Sequence, residues 1–132
     1  MSSISATATV NGVALHYEII GEGTPLVMLH GGVNPSEMFG PTLVEMAKTH
    51  RVIAIHLRGH GLSEDTDEPW TYEQMADDVA ALLAEVGFGK ADFMGYSTGA
   101  GVAIQTAIRH PTCRVLSSYS IWSGQSRSAG PR

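Results

Sequence analysis

The segment Phe93-Met94-Gly95-Tyr96-Ser97-Thr98-Gly99-Ala100-Gly101 restricts what this chain can fold into more than any other stretch. A short apolar strand runs into a serine flanked by glycines, and then into a helix built from small residues. A turn that sharp strains the backbone at the serine, and side chains at 95 and 99 would crowd the converging strand and helix. The glycines are therefore a steric requirement, and the hydroxyl they leave exposed stands at the carboxyl end of a strand. The pentapeptide alone arises easily by chance. Its setting between strand and helix carries the information.

The rest of the chain repeats that alternation. Thr7–Val10 and Val13–Ile20 read as an antiparallel pair around Asn11-Gly12, a dipeptide suited to the left-handed conformations of a tight hairpin turn. Pro25 to Leu29 is a continuous apolar run of the kind buried on both faces of a parallel sheet, and it ends in His30-Gly31-Gly32. Pro41 suits the first turn of the next helix, with Leu43, Met46 and Ala47 as its apolar face. Arg51 to Leu57 is a second buried strand, with His56 inside it, followed by the turn Arg58-Gly59-His60-Gly61. The acidic stretch Glu64, Asp65, Asp67 and Glu68 reads as a solvated loop.

Thr71 and Gln74 form a capping-box pattern, and Met75, Val79, Leu82, Leu83 and Val86 recur at helical spacing until Gly87. Asp92–Tyr96 is a third parallel-type strand, Gly99–Arg109 the helix after the serine, and Val115–Trp122 a last strand. Together these give an α/β fold: a mostly parallel sheet with helices on both faces and an N-terminal antiparallel hairpin. Ligands of such sheets bind outside the carboxyl ends of the strands. His30-Gly31-Gly32 and Ser97 both fall there, so they can share one site.

Composition narrows the functions available. With 132 residues, 43% hydrophobic and 16% charged, the chain is long enough for one domain with a sizeable core. A net charge of −5 without a basic run argues against nucleic acid as a partner. The single cysteine, Cys113, excludes an internal disulfide framework, fits a reducing compartment and reads as a small buried hydrophobe. Met1-Ser2-Ser3-Ile4-Ser5 is not a signal peptide, and no stretch reaches the roughly 20 apolar residues of a membrane span. The cytoplasm is the expected location, with no membrane partner. No metal or cofactor is expected either: Gly59 and Gly61 make a helical His56/His60 ligand pair improbable, and no phosphate-binding glycine loop is present.

His30-Gly31-Gly32 after the first parallel strand, Arg58-Gly59-His60-Gly61-Leu62-Ser63 after the second and Gly95-Tyr96-Ser97-Thr98-Gly99 after the third resemble the α/β-hydrolase superfamily. The likeness is to its serine-nucleophile esterase, lactonase and haloperoxidase-like members, and it runs from about residue 10 to 122. It implies that Ser97 attacks the carbonyl carbon of a small ester or lactone and forms an acyl-enzyme. The N–H of Thr98 and one from the His30-Gly31-Gly32-Val33 loop, that of Gly32, would then form the oxyanion hole, with donors of this kind contributing about 3–4 kcal/mol each. It also implies that His30 packs and orients that loop rather than acting as a base. Haloalkane dehalogenases and epoxide hydrolases carry aspartate at the elbow, so Ser97 sets this chain apart from them. A capping role for the Ser97 hydroxyl is the bland alternative.

One part of the pattern is missing. In this superfamily the acid and the histidine follow the serine along the chain. After Asp92 there is no Asp or Glu, and the one later histidine, His110, lies thirteen residues on, roughly 20 Å away at helical rise. The expectation is thus an N-terminal portion of such a domain, residues 1–122, truncated before its acid, histidine and cap, with a polar tail at 123–132. The alternative is an inactive fragment or pseudoenzyme serving as an interaction module. Either way the strand Val115–Trp122 would be a free edge, inviting self-association and marginal stability.

Overall fold

The computed structural model describes residues 3–31, 41–111 and 113–119. The chain runs β1 (Ser3–Val10), β2 (Val13–Ile20), β3 (Thr24–Leu29), α1 (Pro41–Met46), β4 (His50–Ile55), α2 (Tyr72–Glu85), β5 (Ala91–Tyr96), α3 (Thr98–Arg109) and β6 (Cys113–Tyr119). The strands make one sheet in the order β1-β2-β4-β3-β5-β6. β4, β3, β5 and β6 are parallel, and β1 and β2 are antiparallel, as the alternation of elements requires.

Local chemistry accounts for the element ends. Asn11 and Gly12 take φ of 50° and 78°, the left-handed pair of a tight hairpin turn, which closes on Val10↔Val13. β1 begins at Ser3, four residues before the expected start, because its antiparallel partner is regular as far as Ile20. Thr71 caps α2 by accepting from the Gln74 N–H at 3.0 Å. The reciprocal half of a capping box is not what Gln74 makes, since its side-chain amide donates to Asp78 at 3.2 Å instead. At the other end the Phe88 N–H donates to the Leu83 carbonyl (2.8 Å) and Gly87 turns left-handed at φ 93°, a Schellman closure.

Two apolar layers flank the sheet. Val27 and Leu29 of β3 and Ile53 and Ile55 of β4 pack with Phe93 against Met75, Val79, Leu82 and Leu83 of α2 and Val102 and Ala103 of α3. The alternate residues Leu26, Met28 and Val52 face the other way, against Leu43, Met46 and Ala47 of the α1 segment. Helices therefore cover both faces, and the continuous apolar runs have the expected cause.

Three expectations need correction. β4 ends at Ile55, so His56 lies just beyond the strand rather than inside it. The acidic stretch is exposed but not simply solvated: Glu64 accepts from the Ala14 N–H, Asp65 from Trp70 Nε1–H and Glu68 from Arg58. With Ser63 Oγ accepting from the His16 N–H at 2.8 Å and the Glu64 N–H reaching the Ala14 carbonyl at 2.8 Å, this loop covers the part of β2 that β4 does not reach. The last strand is Cys113–Tyr119; the Cys113 side chain, Trp122 and the 123–132 tail lie outside the described side chains and residues.

Candidate active site

β5 delivers Ser97 to the carboxyl edge of the sheet, and α3 starts at the next residue. Ser97 has φ 57° and ψ −117°, a conformation non-glycine residues hold only when their surroundings impose it. Those surroundings are the two glycines. A Cβ on Gly95 would collide with the Gly99 carbonyl and sit 2.7 Å from the Ala100 nitrogen. One on Gly99 would collide with the Leu29 carbonyl and sit 2.6 Å from that of His30. The start of α3 therefore lies directly against the end of β3, consistent with the parallel register Leu29↔Gly95. The two motifs meet at one place.

Ser97 occupies the N-cap position of α3 but makes no side-chain cap bond; its carbonyl accepts from the Ala100 N–H at 2.9 Å. The capping alternative is thereby overturned. Thr98 is the first helical residue, so its N–H has no acceptor within the helix. Gly32, the other expected donor, lies outside the described residues.

His30, His56, His60 and His110 each bond to groups other than Ser97. His30 is fully buried; its Nε2 accepts from the Leu57 N–H (3.0 Å), which puts the ring proton on Nδ1, donated to the Gly31 carbonyl at 2.5 Å. His56 accepts from the Leu62 N–H through Nδ1 (2.9 Å). His60 Nδ1–H donates to the Arg58 carbonyl (2.9 Å), and its ring packs at a tilt against Trp70 with centroids 4.6 Å apart. His110, at the far end of α3, binds Asp77 through Nε2 at 2.9 Å. There the guanidinium of Arg109 and then His110 hold the Asp77 carboxyl below the usual carboxylate range. Among the described residues no group of His, Cys, Asp or Glu is arranged to hold a metal ion.

Sequence reasoning missed the group that fixes the neighbouring loop. Arg58 is buried, and Asp78 of α2 takes it bidentately, Nε to Oδ2 at 2.6 Å and Nη2 to Oδ1 at 2.9 Å. Glu68 and Thr66 each accept from Nη1 at 3.2 Å, and Asn11 Nδ2 donates to Asp78 at 3.2 Å. The Asp78 hydrogen bonds, outweighing burial, hold the guanidinium charged even more firmly than usual. A signal existed: Asp78 interrupts the apolar stripe between Met75 and Leu82, where an unpaired carboxylate is not tolerated.

Two cavities among the described residues sit apart from this edge. One of about 420 Å³, lined by Leu83, Phe88, Lys90 and His110, opens at Ala91, the opposite end of β5 from Ser97.

The sequence matches a family described as alpha/beta hydrolase fold over residues 24–121. It is 37% identical over 103 residues to the AB hydrolase superfamily protein YisY of Bacillus subtilis, covering 77% of this chain and 38% of that one. The solved structure of Est816, described as an N-acyl homoserine lactone degrading enzyme, superposes with a TM-score of 0.78 at 33% identity, over 84% of this chain and 42% of that one. The epoxide hydrolase CorEH gives 0.81 at 32% identity, over 86% and 40%. The chain thus spans about two fifths of the length of the relatives it matches. Among the described residues no helix is long and apolar enough to cross a membrane.

Proposed function

Because the chain belongs to the alpha/beta hydrolase fold family, we propose that it carries the nucleophile and the oxyanion-hole donors of a serine hydrolase acting on a small ester or lactone. The observation that supports this most is Ser97 itself, at φ 57° and ψ −117° on a strand-to-helix turn with its hydroxyl unused by the helix. Ser97 Oγ adds to the substrate carbonyl carbon, and its proton passes to a base. The N–H groups of Thr98 and Gly32 hold the oxyanion as it forms. Collapse breaks the carbon–oxygen bond, releasing an alcohol or opening a lactone ring, and leaves an acyl group on Ser97. Water then repeats the addition and frees the acid. The likeness to CorEH supports the fold, while a serine at the elbow favours acyl transfer over epoxide opening. The single cysteine fits a reducing, cytoplasmic setting.

The base and its acid partner are proposed to lie outside these 132 residues. His30 uses both ring nitrogens, His110 is held by Asp77, and no acid follows Asp92. The same accounting favours a second reading, that this polypeptide alone is an inactive shell of a hydrolase with an interaction role. A labelling experiment tests the nucleophile independently of turnover. With p-nitrophenyl acetate and added imidazole as external base, an acetyl adduct should map to Ser97 and vanish in Ser97→Ala. An adduct distribution that ignores Ser97 would overturn the assignment.

A further inference from the structure

Among the described residues the sheet is bounded on one side by β1, an eight-residue strand in unbroken register with β2. Sheet edges in soluble proteins are ordinarily blunted by charge, proline or a bulge. Ser3-Ile4-Ser5-Ala6-Thr7-Ala8-Thr9-Val10 has no charged residue, no proline and no register shift. Val10↔Val13 closes the two-residue turn, so the even-numbered residues bond to β2 and the odd ones, Ser3, Ser5, Thr7 and Thr9, turn their N–H and C=O groups outward.

Beside this edge lies a groove in which Thr7, Thr9, Arg51 and Glu85 stand among apolar side chains. Ile4, Ala8, Tyr17, Ile19, Val86 and Phe88 contribute to a cavity of about 570 Å³ on the α2 face of the strands. Ala8 packs on the core there, and Ile4, on the same face, is 49% exposed.

We propose that β1 is a homodimer seam, two copies pairing antiparallel about a two-fold axis at Ala6. A second copy is the occupant because the strand complements itself in this register. Ser5 falls opposite Thr7 and Ser3 opposite Thr9, the outward residues in each case, so roughly eight backbone hydrogen bonds form with none blocked. The opposed side chains are small hydroxyls on one face and Ile4 against Ala8 on the other. That second pairing sets the partner's Ile4 over the groove beside Ala8. No like charges meet across the axis. The two sheets become one, and each copy covers the other's exposed isoleucine.

Sedimentation velocity on the 132-residue chain across a concentration series tests this. A reversible monomer–dimer equilibrium is expected, weakened roughly tenfold or more by Ile4→Glu, which puts a carboxylate into the Ile4–Ala8 pairing. Thr7→Pro, which removes an outward N–H but no bond to β2, should weaken it similarly. Ile4 is half exposed, so the first variant reports on pairing even where the second perturbs folding. Register is read by oxidation: Ala6→Cys sits opposite its own copy and should cross-link readily, with the disulfide mapped by peptide mass spectrometry, whereas Ala8→Cys should not. A chain that stays monomeric, an association indifferent to both substitutions, or equal cross-linking at positions 6 and 8 would each overturn the proposal.

Discussion

Ser97 stores backbone strain that only its surroundings maintain, and this has a thermodynamic signature. Ser97→Gly should stabilise the fold by about 1 kcal/mol, the lower end of the cost of such a conformation, whereas Ser97→Ala should not. Urea unfolding of the two variants checks it. Gly99→Ala should behave in the opposite way, because its Cβ would meet two backbone carbonyls that cannot step aside; about 3 kcal/mol or outright misfolding is expected. Gly89→Ala, with nothing within 4 Å of the added carbon, should stay within about 0.5 kcal/mol of the parent. The elbow was legible in the sequence because its requirement is local: five consecutive residues carry the whole steric argument. The state of His30 was not, since its tautomer is set by the Leu57 N–H, 27 residues away, across two parallel strands.

Helix α2 shows both sides of legibility at the level of an element. Its apolar stripe, its Thr71 cap and its glycine closure follow from spacing alone. The role of Asp78 depends on an arginine from one loop and an asparagine from a hairpin turn, and spacing does not reveal such partners. Removing the carboxylate leaves a buried guanidinium, so Asp78→Ala should cost about 3–5 kcal/mol. Glu68→Ala, with its side chain 68% exposed, should cost less than about 1 kcal/mol. Asp77, which ties α2 to α3 through Arg109 and His110, adds a pH dependence. Its folded carboxyl titrates below the ordinary 3.8, so its contribution is complete above about pH 5 and is lost as pH falls through 4 toward the folded value. Denaturant unfolding from pH 6 down to 3 should show a shallower loss of stability in Asp77→Asn than in the parent.

At the level of the whole molecule, the order of strands and helices brings the His30 loop and Ser97 to one edge and the Asp77–Arg109–His110 cluster to the far end of α3. Alternation of elements made that arrangement legible, because parallel strands can be joined only by crossovers and their carboxyl ends then share one side. Strand extent was less legible. β1 lengthens through its pairing with β2, and β4 stops short of His56 where the loop to Glu64 takes over. The central claim is a nucleophile separated from its base. Steady-state hydrolysis of p-nitrophenyl acetate by the purified 132-residue chain, set beside Ser97→Ala without added imidazole, tests it most directly. Equal rates are predicted, since His30 has both ring nitrogens engaged and His110 is held by Asp77. Sustained turnover that depends on Ser97 would contradict the account and require a base within the chain itself.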